Sequence, residues 1–190
     1  MKNIAIFASG SGTNARNIAE YFSHHEDIRV SLILANKPDA YVLERAKLLG
    51  IPSVVFNRMD FYESDRVLEI LYEHHIDYII LAGFLWFIPE NILRAYPRRI
   101  INIHPALLPK HGGKGMYGDK VHQSVIQAGD KRTGISIHFV NDHYDEGEII
   151  FQDSFEIQPD DTAESIAQKV HALEYKHFPR VIEEVVNDCH

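Results

Sequence analysis

Residues 3–15 read NIAIFASGSGTNA, and this stretch decides the fold. Ile4–Ala8 is a continuously apolar run with the length of a buried strand, and alternating serines and glycines follow it at 9–12. A helical pattern then begins at about residue 14. A buried strand that runs through a glycine-rich turn into a helix opens many parallel α/β sheets. The stretch therefore predicts an α/β protein.

Strand-like runs and helical patterns alternate along the first 104 residues. The further runs are Val30–Ala35, Ser53–Phe56, Tyr78–Ala82 and Arg99–Ile103, and helices are expected at about 14–24, 40–49, 60–75 and 89–95. The segment IDYIILAGF (76–84) is apolar almost throughout, as a strand buried on both faces should be. Such alternation favours a parallel sheet with helices on both faces.

The pattern changes after residue 104. A loop over 105–118 precedes a helix at 119–128, strands at about 134–140 and 148–157, and a C-terminal helix that Asp161 and Glu164 would cap. We expect one α/β domain, 1–190, in which 1–104 form a Rossmann-like, mostly parallel sheet flanked by helices. Residues 105–190 would add an antiparallel extension and a long C-terminal helix.

The composition excludes several classes of protein. Of 190 residues, 45% are hydrophobic and 24% charged, an ordinary balance for a folded domain. Nineteen basic and 27 acidic residues give a net charge of −8, which argues against binding nucleic acid or an anionic membrane. The only cysteine, Cys189, excludes a disulfide framework and a cysteine-based zinc site. No segment resembles a membrane span or a signal peptide, so we expect a cytoplasmic protein.

The glycine-rich turn is a candidate phosphate site. Its glycines let the backbone approach a ligand, and the following helix start offers N–H groups and the positive end of its dipole. Thr13 and Asn14 add side-chain donors. Residues 10–15 also fit the dinucleotide pattern G-x-G-x-x-A, but 35–37 read ANK, without the acid that would hold a ribose of NAD. We therefore expect phosphate binding without NAD; the alternative is a tight turn without a ligand.

Asn102 and His104 stand at the carboxyl end of the fifth apolar run, the edge where open parallel sheets bind ligands. Two residues apart, they would point to the same side of a strand. An amide donor beside an imidazole can stabilise an oxyanion while the imidazole moves a proton. The alternative is a histidine that is simply hydrogen-bonded at the end of a strand.

The loop NDHYDEG (141–147) could place a carboxylate beside His104. A carboxylate there would favour the imidazolium and orient the ring. Three residues are candidates, Asp142, Asp145 and Glu146, and their spacing does not choose among them. His138, on the preceding strand, is at least as well explained as a buried structural histidine.

Glu174 falls inside the apolar stripe of the C-terminal helix. The stripe consists of Ile166, Val170, Leu173, His177 and Val181. A carboxylate in such a stripe is costly unless it is paired. It could bind a cation such as a substrate amine, or pair structurally with His171 or His177, and the helical spacing does not decide between these alternatives.

Several motifs together resemble the folate-dependent formyltransferases, in the branch that acts on glycinamide ribonucleotide. They are SGSGTN (9–14), LAGF (81–84), INIHPALLPK (101–110), SIHF (136–139) with NDHYDEGEII (141–150), and HALEYKHFP (171–179). The resemblance covers nearly the whole chain. It implies transfer of a formyl group from 10-formyltetrahydrofolate to the glycinamide amine, a step of de novo purine synthesis.

The resemblance also implies roles for individual residues. The catalytic residues would be Asn102, His104 and Asp145, with Asp145 raising the pKa of His104 and protonated His104 stabilising the oxyanion. The ribonucleotide would be held by Gly12, Thr13, Asn14, His171 and Glu174. The folate would lie against Leu85, Trp86, Phe87 and Ile88, near Arg58, and against Asn102 and the loop residues Asn141, Asp142, His143, Tyr144 and Asp145.

The resemblance implies small-molecule substrates, 10-formyltetrahydrofolate as co-substrate and no metal, in a monomer or homodimer. In family terms residues 105–190 would be the folate-binding and catalytic half. The loop His111–Gly118, with four glycines, would be a mobile border of the substrate cleft. The alternatives are a formyltetrahydrofolate deformylase, with similar core chemistry, and a non-catalytic phosphosugar-binding module.

Overall fold

Four parallel strands with helices between them build the N-terminal part of the fold, in a computed structural model that describes residues 1–188. The strands are β1 (Lys2–Ala8), β2 (Ile28–Ala35), β3 (Ser53–Val55) and β4 (Tyr78–Leu81), in the order β3-β2-β1-β4. The helices are α1 (Thr13–Tyr21), α2 (Val42–Leu49), a π-helical turn (Met59–Glu63), α3 (Arg66–Glu73) and α4 (Glu90–Ala95). Cys189 lies outside the described residues.

The C-terminal elements follow the predicted order. They are β5 (Ile100–His104), α5 (Asp119–Gln127), β6 (Arg132–Phe139), β7 (Ile149–Glu156) and α6 (Ala163–Asp188). Strands β6 and β7 pair antiparallel along their length, with a bulge between Ile137 and His138. The strand order of the sheet is β3-β2-β1-β4-β5-β6-β7. The predicted class, an α/β fold with a mostly parallel sheet, an antiparallel extension and a long final helix, is confirmed.

The first and fourth strands are buried strands of the N-terminal part. Ile4–Ala8 of β1 are fully buried, and all four residues of β4 are buried, as expected for strands covered on both faces. The described chain divides into two compact units, one formed by Met1–Ile101 with the segment from Ile182 to Asp188, and one by Asn102–Val181. Among residues 1–188, no helix combines the length and the apolar character needed to cross a membrane.

The prediction of a single helix over 60–75 is wrong. The chain leaves the π-helical turn at Ser64, whose backbone is extended at φ −146° and ψ 171°, and α3 begins only at Arg66. The Ser64 hydroxyl donates to the carbonyl of Asp60 and accepts from the N–H of Arg66. Serine side chains compete for backbone groups in this way, and so they interrupt helices that apolar periodicity alone would continue.

The predicted cap of the last helix is also wrong, by one residue. Thr162 and Ser165 form the reciprocal pair: Ser165 N donates to Thr162 Oγ1 at 3.2 Å, and Thr162 N donates to Ser165 Oγ at 2.9 Å. The Asp161 carboxylate is occupied instead by the ammonium of Lys169, at 2.7 and 2.8 Å. This ion pair, two turns into the helix, could not be read from the cap pattern.

Candidate active site

The glycine-rich turn leads directly into α1. Gly12 stands immediately before the helix in the left-handed region, at φ 71°. A Cβ at this position would lie 2.4 Å from Cγ2 of Val42, so the position excludes every other residue type without a rearrangement. The first turn of α1 holds no acidic residue, and no side chain caps it. The positive end of the helix dipole is therefore not neutralised locally, which suits an anion.

Arg45 is a neighbour of this turn that the sequence did not single out. Its Nε donates to the carbonyl of Ser11 at 2.7 Å, and its guanidinium carbon lies 5.0 Å from the centre of the Tyr41 ring. Val42 N also donates to the carbonyl of Gly10. The start of α2 thus holds the turn in place and brings a cation beside it.

The predicted folate segment 85–88 adjoins an aromatic cluster in the same unit. Trp86 lies among Phe56, Phe61, Tyr62 and Phe84, with ring centres about 6 Å apart. The Arg58 guanidinium carbon lies 4.8 Å from the centre of the Trp86 ring, a cation–π contact. The structure therefore brings Arg58 and Trp86 together, and leaves both partly open to solvent. Contact of this segment with a folate stays a prediction.

Asn102, His104 and Asp145, predicted as the catalytic residues, lie together in the second unit. His104 ends β5 and is 3% exposed. Its Nδ1 lies 3.5 Å from Oδ2 of Asp145, whose side chain is 13% exposed. Asn102, two residues before His104 on the strand, directs its Nδ2 to Nε2 of His138 at 3.0 Å. Of the three acidic candidates in the loop, Asp145 is the one beside the imidazole.

His138 belongs to this site, although the sequence favoured a structural role at least as much. Its Nδ1 lies 2.9 Å from the carbonyl oxygen of Phe139. A carbonyl only accepts, so Nδ1 carries the hydrogen and Nε2 can accept from the Asn102 amide. The same Nε2 lies 3.6 Å from Oδ1 of Asp145. The one signal in the sequence was a histidine within the otherwise strand-like SIHF motif, and this does not reveal its contact with Asn102.

Each nitrogen of the His104 imidazole faces a different group. Its Nε2 lies 2.8 Å from the backbone carbonyl oxygen of His111 and must donate there. Nδ1 therefore faces the Asp145 carboxylate as a lone pair in the neutral ring, and as N–H in the imidazolium. Burial lowers the pKa of His104 below its ordinary 6.5, and the opposing effect of Asp145 is smaller. The expectation of a protonated His104 therefore differs from this structure, in which burial favours the neutral form.

The Asp145 carboxylate is held by a backbone N–H. Its oxygen Oδ2 accepts from the N–H of Gly113 at 2.9 Å, and the φ of Asp145 is 54°, in the left-handed region. Burial alone would raise the pKa of Asp145, but His138, His104 and the Gly113 N–H together lower it below its ordinary value. The pKa of Asp145 thus favours the ionised carboxylate, whose Oδ2 lies 3.5 Å from Nδ1 of His104 and whose Oδ1 lies 3.6 Å from Nε2 of His138.

Two glycines stand where a side chain would collide with neighbouring atoms, Gly147 at the end of the 141–147 loop and Gly112 in the segment that faces it. A Cβ on Gly147 would lie 1.6 Å from the carbonyl oxygen of Phe139, and one on Gly112 would lie 2.5 Å from Leu108. The rest of the loop faces outwards: the Asp142 side chain is 78% exposed and pairs with His143, while Asn141 Oδ1 accepts from the backbone N–H of His143. Residues 141–144 are accessible, and their contact with a folate stays a prediction.

Of the two ribonucleotide residues predicted on the last helix, one is buried and one is exposed. Glu174 is 7% exposed, and His171 is exposed beside Tyr175. His177 Nε2 pairs with Oδ2 of Asp153 at 2.7 Å, and Arg180 contacts its Nδ1. Both nitrogens of His177 are thus occupied elsewhere, which removes it from the structural alternatives for Glu174.

Comparison with known proteins gives a consistent family. The family model "Formyl transferase" matches residues 2–182. A phosphoribosylglycinamide formyltransferase of Bacillus subtilis is 38% identical over 191 residues, covering 98% of this chain and 95% of that protein. The chloroplastic phosphoribosylglycinamide formyltransferase of Arabidopsis thaliana is 40% identical over 95% of this chain. This chain spans 64% of the Arabidopsis relative and 60% of a chloroplastic relative from Vigna unguiculata.

Solved structures agree with the sequence relatives. A crystal structure of phosphoribosylglycinamide formyltransferase from Anaplasma phagocytophilum superposes with a TM-score of 0.90 at 31% identity, over 98% of this chain and 87% of that one. A further one from Streptococcus pneumoniae gives a TM-score of 0.86 at 36% identity, over 98% and 99% of the two chains.

Proposed function

The chain belongs to the formyl transferase family, and from that premise we propose that it transfers a formyl group from 10-formyltetrahydrofolate to the amine of phosphoribosylglycinamide. The observation that carries the proposal is the cluster of buried His104 with the half-buried Asp145 and Asn102 at the carboxyl end of β5. The names of the relatives supply the acceptor, phosphoribosylglycinamide, and the formyl group that is transferred. The folate donor is what the resemblance of the motifs implies. The products are the formylated ribonucleotide and tetrahydrofolate, in purine synthesis.

The reaction forms one C–N bond and breaks another. The glycinamide amine attacks the formyl carbon, the carbonyl oxygen becomes an oxyanion, and the bond from carbon to N10 of the folate then breaks. The amine loses a proton and N10 gains one, so the site must move one proton and stabilise one negative charge. The Asn102 amide carries two hydrogens, and the one that His138 does not accept is suited to the oxyanion.

His104 and Asp145 are suited to the proton transfer. The neutral imidazole that burial favours has its lone pair on Nδ1, because Nε2–H donates to the His111 carbonyl. Gaining a proton at Nδ1 places positive charge 3.5 Å from the ionised Asp145. The carboxylate therefore stabilises the imidazolium at the stage at which it forms.

The resemblance assigns two sets of residues to the ribonucleotide, one in each unit. The uncapped start of α1 after Gly12, with Thr13 and Asn14, is suited to the phosphate, and Arg45 adds a positive charge beside the turn. The buried carboxylate of Glu174 is suited to the glycinamide amine, with His171 beside it on the helix. The folate would bind along Leu85–Ile88 with Arg58 near its glutamate tail. A monomer or homodimer in the cytoplasm, working without a metal, completes the proposal.

A spectrophotometric assay tests this function. The protein is mixed with a 10-formyl folate analogue, with and without glycinamide ribonucleotide, and loss of the formyl group is followed by absorbance. Loss that requires the ribonucleotide supports formyl transfer, whereas loss without it identifies a deformylase. No loss in either mixture would refute both and leave a phosphosugar-binding module.

His104→Ala is the matched variant for this assay. It should keep the fold and ribonucleotide binding, because the two nitrogens of the His104 ring face His111 and Asp145, neither of which is a predicted ribonucleotide contact. Turnover should fall on the order of 10²-fold or more, as for the loss of a general acid–base. Near-normal kcat in this variant would show that the proton moves elsewhere.

A further inference from the structure

His111 is held by hydrogen bonds at both nitrogens of its ring. Its Nε2 donates to Oδ2 of Asp130 at 2.9 Å, and its Nδ1 lies 2.8 Å from the hydroxyl of Ser124, which can donate to it. Ser124 belongs to α5, and Asp130 follows that helix in the turn towards β6. Lys110 binds the other Asp130 oxygen at 3.0 Å. The ring is therefore fixed to the C-terminal end of α5.

The backbone of His111 has an uncommon conformation. Its φ is 56°, in the left-handed region that side chains with a Cβ rarely adopt. Such a conformation persists only where the surroundings hold it, and here the two hydrogen bonds of the ring do so. The conformation directs the His111 carbonyl oxygen at Nε2 of His104, 2.8 Å away.

We propose that His111 is a positioning residue for His104: the contacts of its ring with Ser124 and Asp130 hold its backbone so that its carbonyl fixes the tautomer of His104. With the hydrogen fixed on Nε2, Nδ1 is the only ring atom that can gain or lose a proton, and it is the atom beside Asp145. The effect on turnover rests on the proposed formyl transfer, whereas the effect on the tautomer does not.

Two variants remove the ring contacts at different points. His111→Phe keeps a ring of similar size and removes both nitrogens. Ser124→Ala removes one contact and keeps a good helix former in α5, so it tests the proposal should the first variant fail to fold. His24→Phe is the matched control, because His24 is exposed in the turn after α1 and takes no part in the proposed site.

The direct measurement is the 15N NMR spectrum of the histidine side chains at pH 8, with His104 identified by the signals missing in His104→Ala. In the unmodified protein His104 should show one tautomer, with a protonated Nε2 and an unprotonated Nδ1. In His111→Phe, and to a smaller degree in Ser124→Ala, both nitrogen shifts should move towards the average of the two tautomers. His24→Phe should leave them unchanged.

The kinetic measurement separates positioning from binding. In His111→Phe kcat should fall on the order of 10- to 100-fold with KM for the ribonucleotide changed less than about threefold, as expected when a catalytic group is misplaced. Unchanged tautomer shifts in His111→Phe and Ser124→Ala would overturn the proposal, even if kcat fell. If the unmodified protein shows no formyl transfer, the proposed function fails. The role of His111 is then decided by the nitrogen shifts of His104 alone.

Discussion

Replacing Asp145 by Asn should lower kcat by about 100- to 1000-fold. The change removes one charge and keeps an oxygen that can accept from the Gly113 N–H. Two unit charges separated by the 3.5 Å between His104 Nδ1 and Asp145 Oδ2 attract by about 5 kcal/mol at an effective dielectric constant of about 20. This figure is an upper limit, because the Asp145 side chain is 13% exposed and water screens part of the attraction. A loss of about 3 to 4 kcal/mol in the charged state corresponds to the stated range.

The assay is formyl transfer that depends on the ribonucleotide, with kcat and KM measured separately. Glu146→Gln is the matched control: it removes one negative charge from the neighbouring residue, whose side chain is exposed. KM for the ribonucleotide should stay within about threefold in both variants. The reasoning is refuted if Asp145→Asn keeps kcat within about threefold, or if Glu146→Gln loses as much, since the loss would then reflect the charge of the loop and not the contact with His104.

Three further changes test the glycine-rich turn, the loop at 141–147 and one buried histidine. Gly12→Ala should raise KM for the ribonucleotide by about tenfold or more and lower the melting temperature, because its Cβ would meet Val42 at 2.4 Å. Steady-state kinetics measure the first effect and thermal unfolding the second. An unchanged KM would contradict phosphate binding at this turn. Gly147→Ala should cost about 3 kcal/mol or more of unfolding free energy, since its Cβ would overlap the Phe139 carbonyl at 1.6 Å, and urea unfolding checks it. Burial lowers the pKa of His122, so the unfolded chain binds more protons just below pH 6.5 and stability should fall on acidification through that range. His122→Phe should lose less stability between about pH 7.5 and 5.5 than the unmodified protein, and equal losses would show that His122 does not titrate in this way.

The sequence predicted the fold well because its signals are local. Continuous apolar runs marked β1 and β4, and the glycine-rich turn marked the start of α1 within one residue. The errors arose where a side chain formed a hydrogen bond with a backbone group, or an ion pair with a distant residue, that the apolar pattern does not record. Ser64 interrupts the predicted third helix, and Lys169 draws Asp161 away from the cap of α6. Periodicity records which face is buried, but not these individual hydrogen bonds.

The candidate site could be predicted only in part. The motif placed Asn102 and His104 two residues apart on one strand, which local geometry guarantees. The choice of Asp145 over Asp142 depends on a left-handed backbone and on the N–H of Gly113, 32 residues earlier in the chain. His111 could not be found in this way, because its importance lies in a carbonyl that no side-chain pattern reveals.

The two opposing effects on His104 fit the proposed chemistry better than a permanently protonated ring would. Burial keeps the imidazole neutral before reaction, so that Nδ1 can accept a proton from the attacking amine. Asp145 interacts strongly with the ring only once it is charged, so its effect is greatest in the charged states along the reaction. If Asp145 had outweighed burial, the pKa of His104 would be raised, and a larger fraction of the rings would already carry the proton and be unable to act as a base. The lowered pKa of His104 therefore makes its imidazole a proton acceptor at neutral pH. When the proton arrives, the Asp145 carboxylate offsets part of the free energy that burying the imidazolium costs.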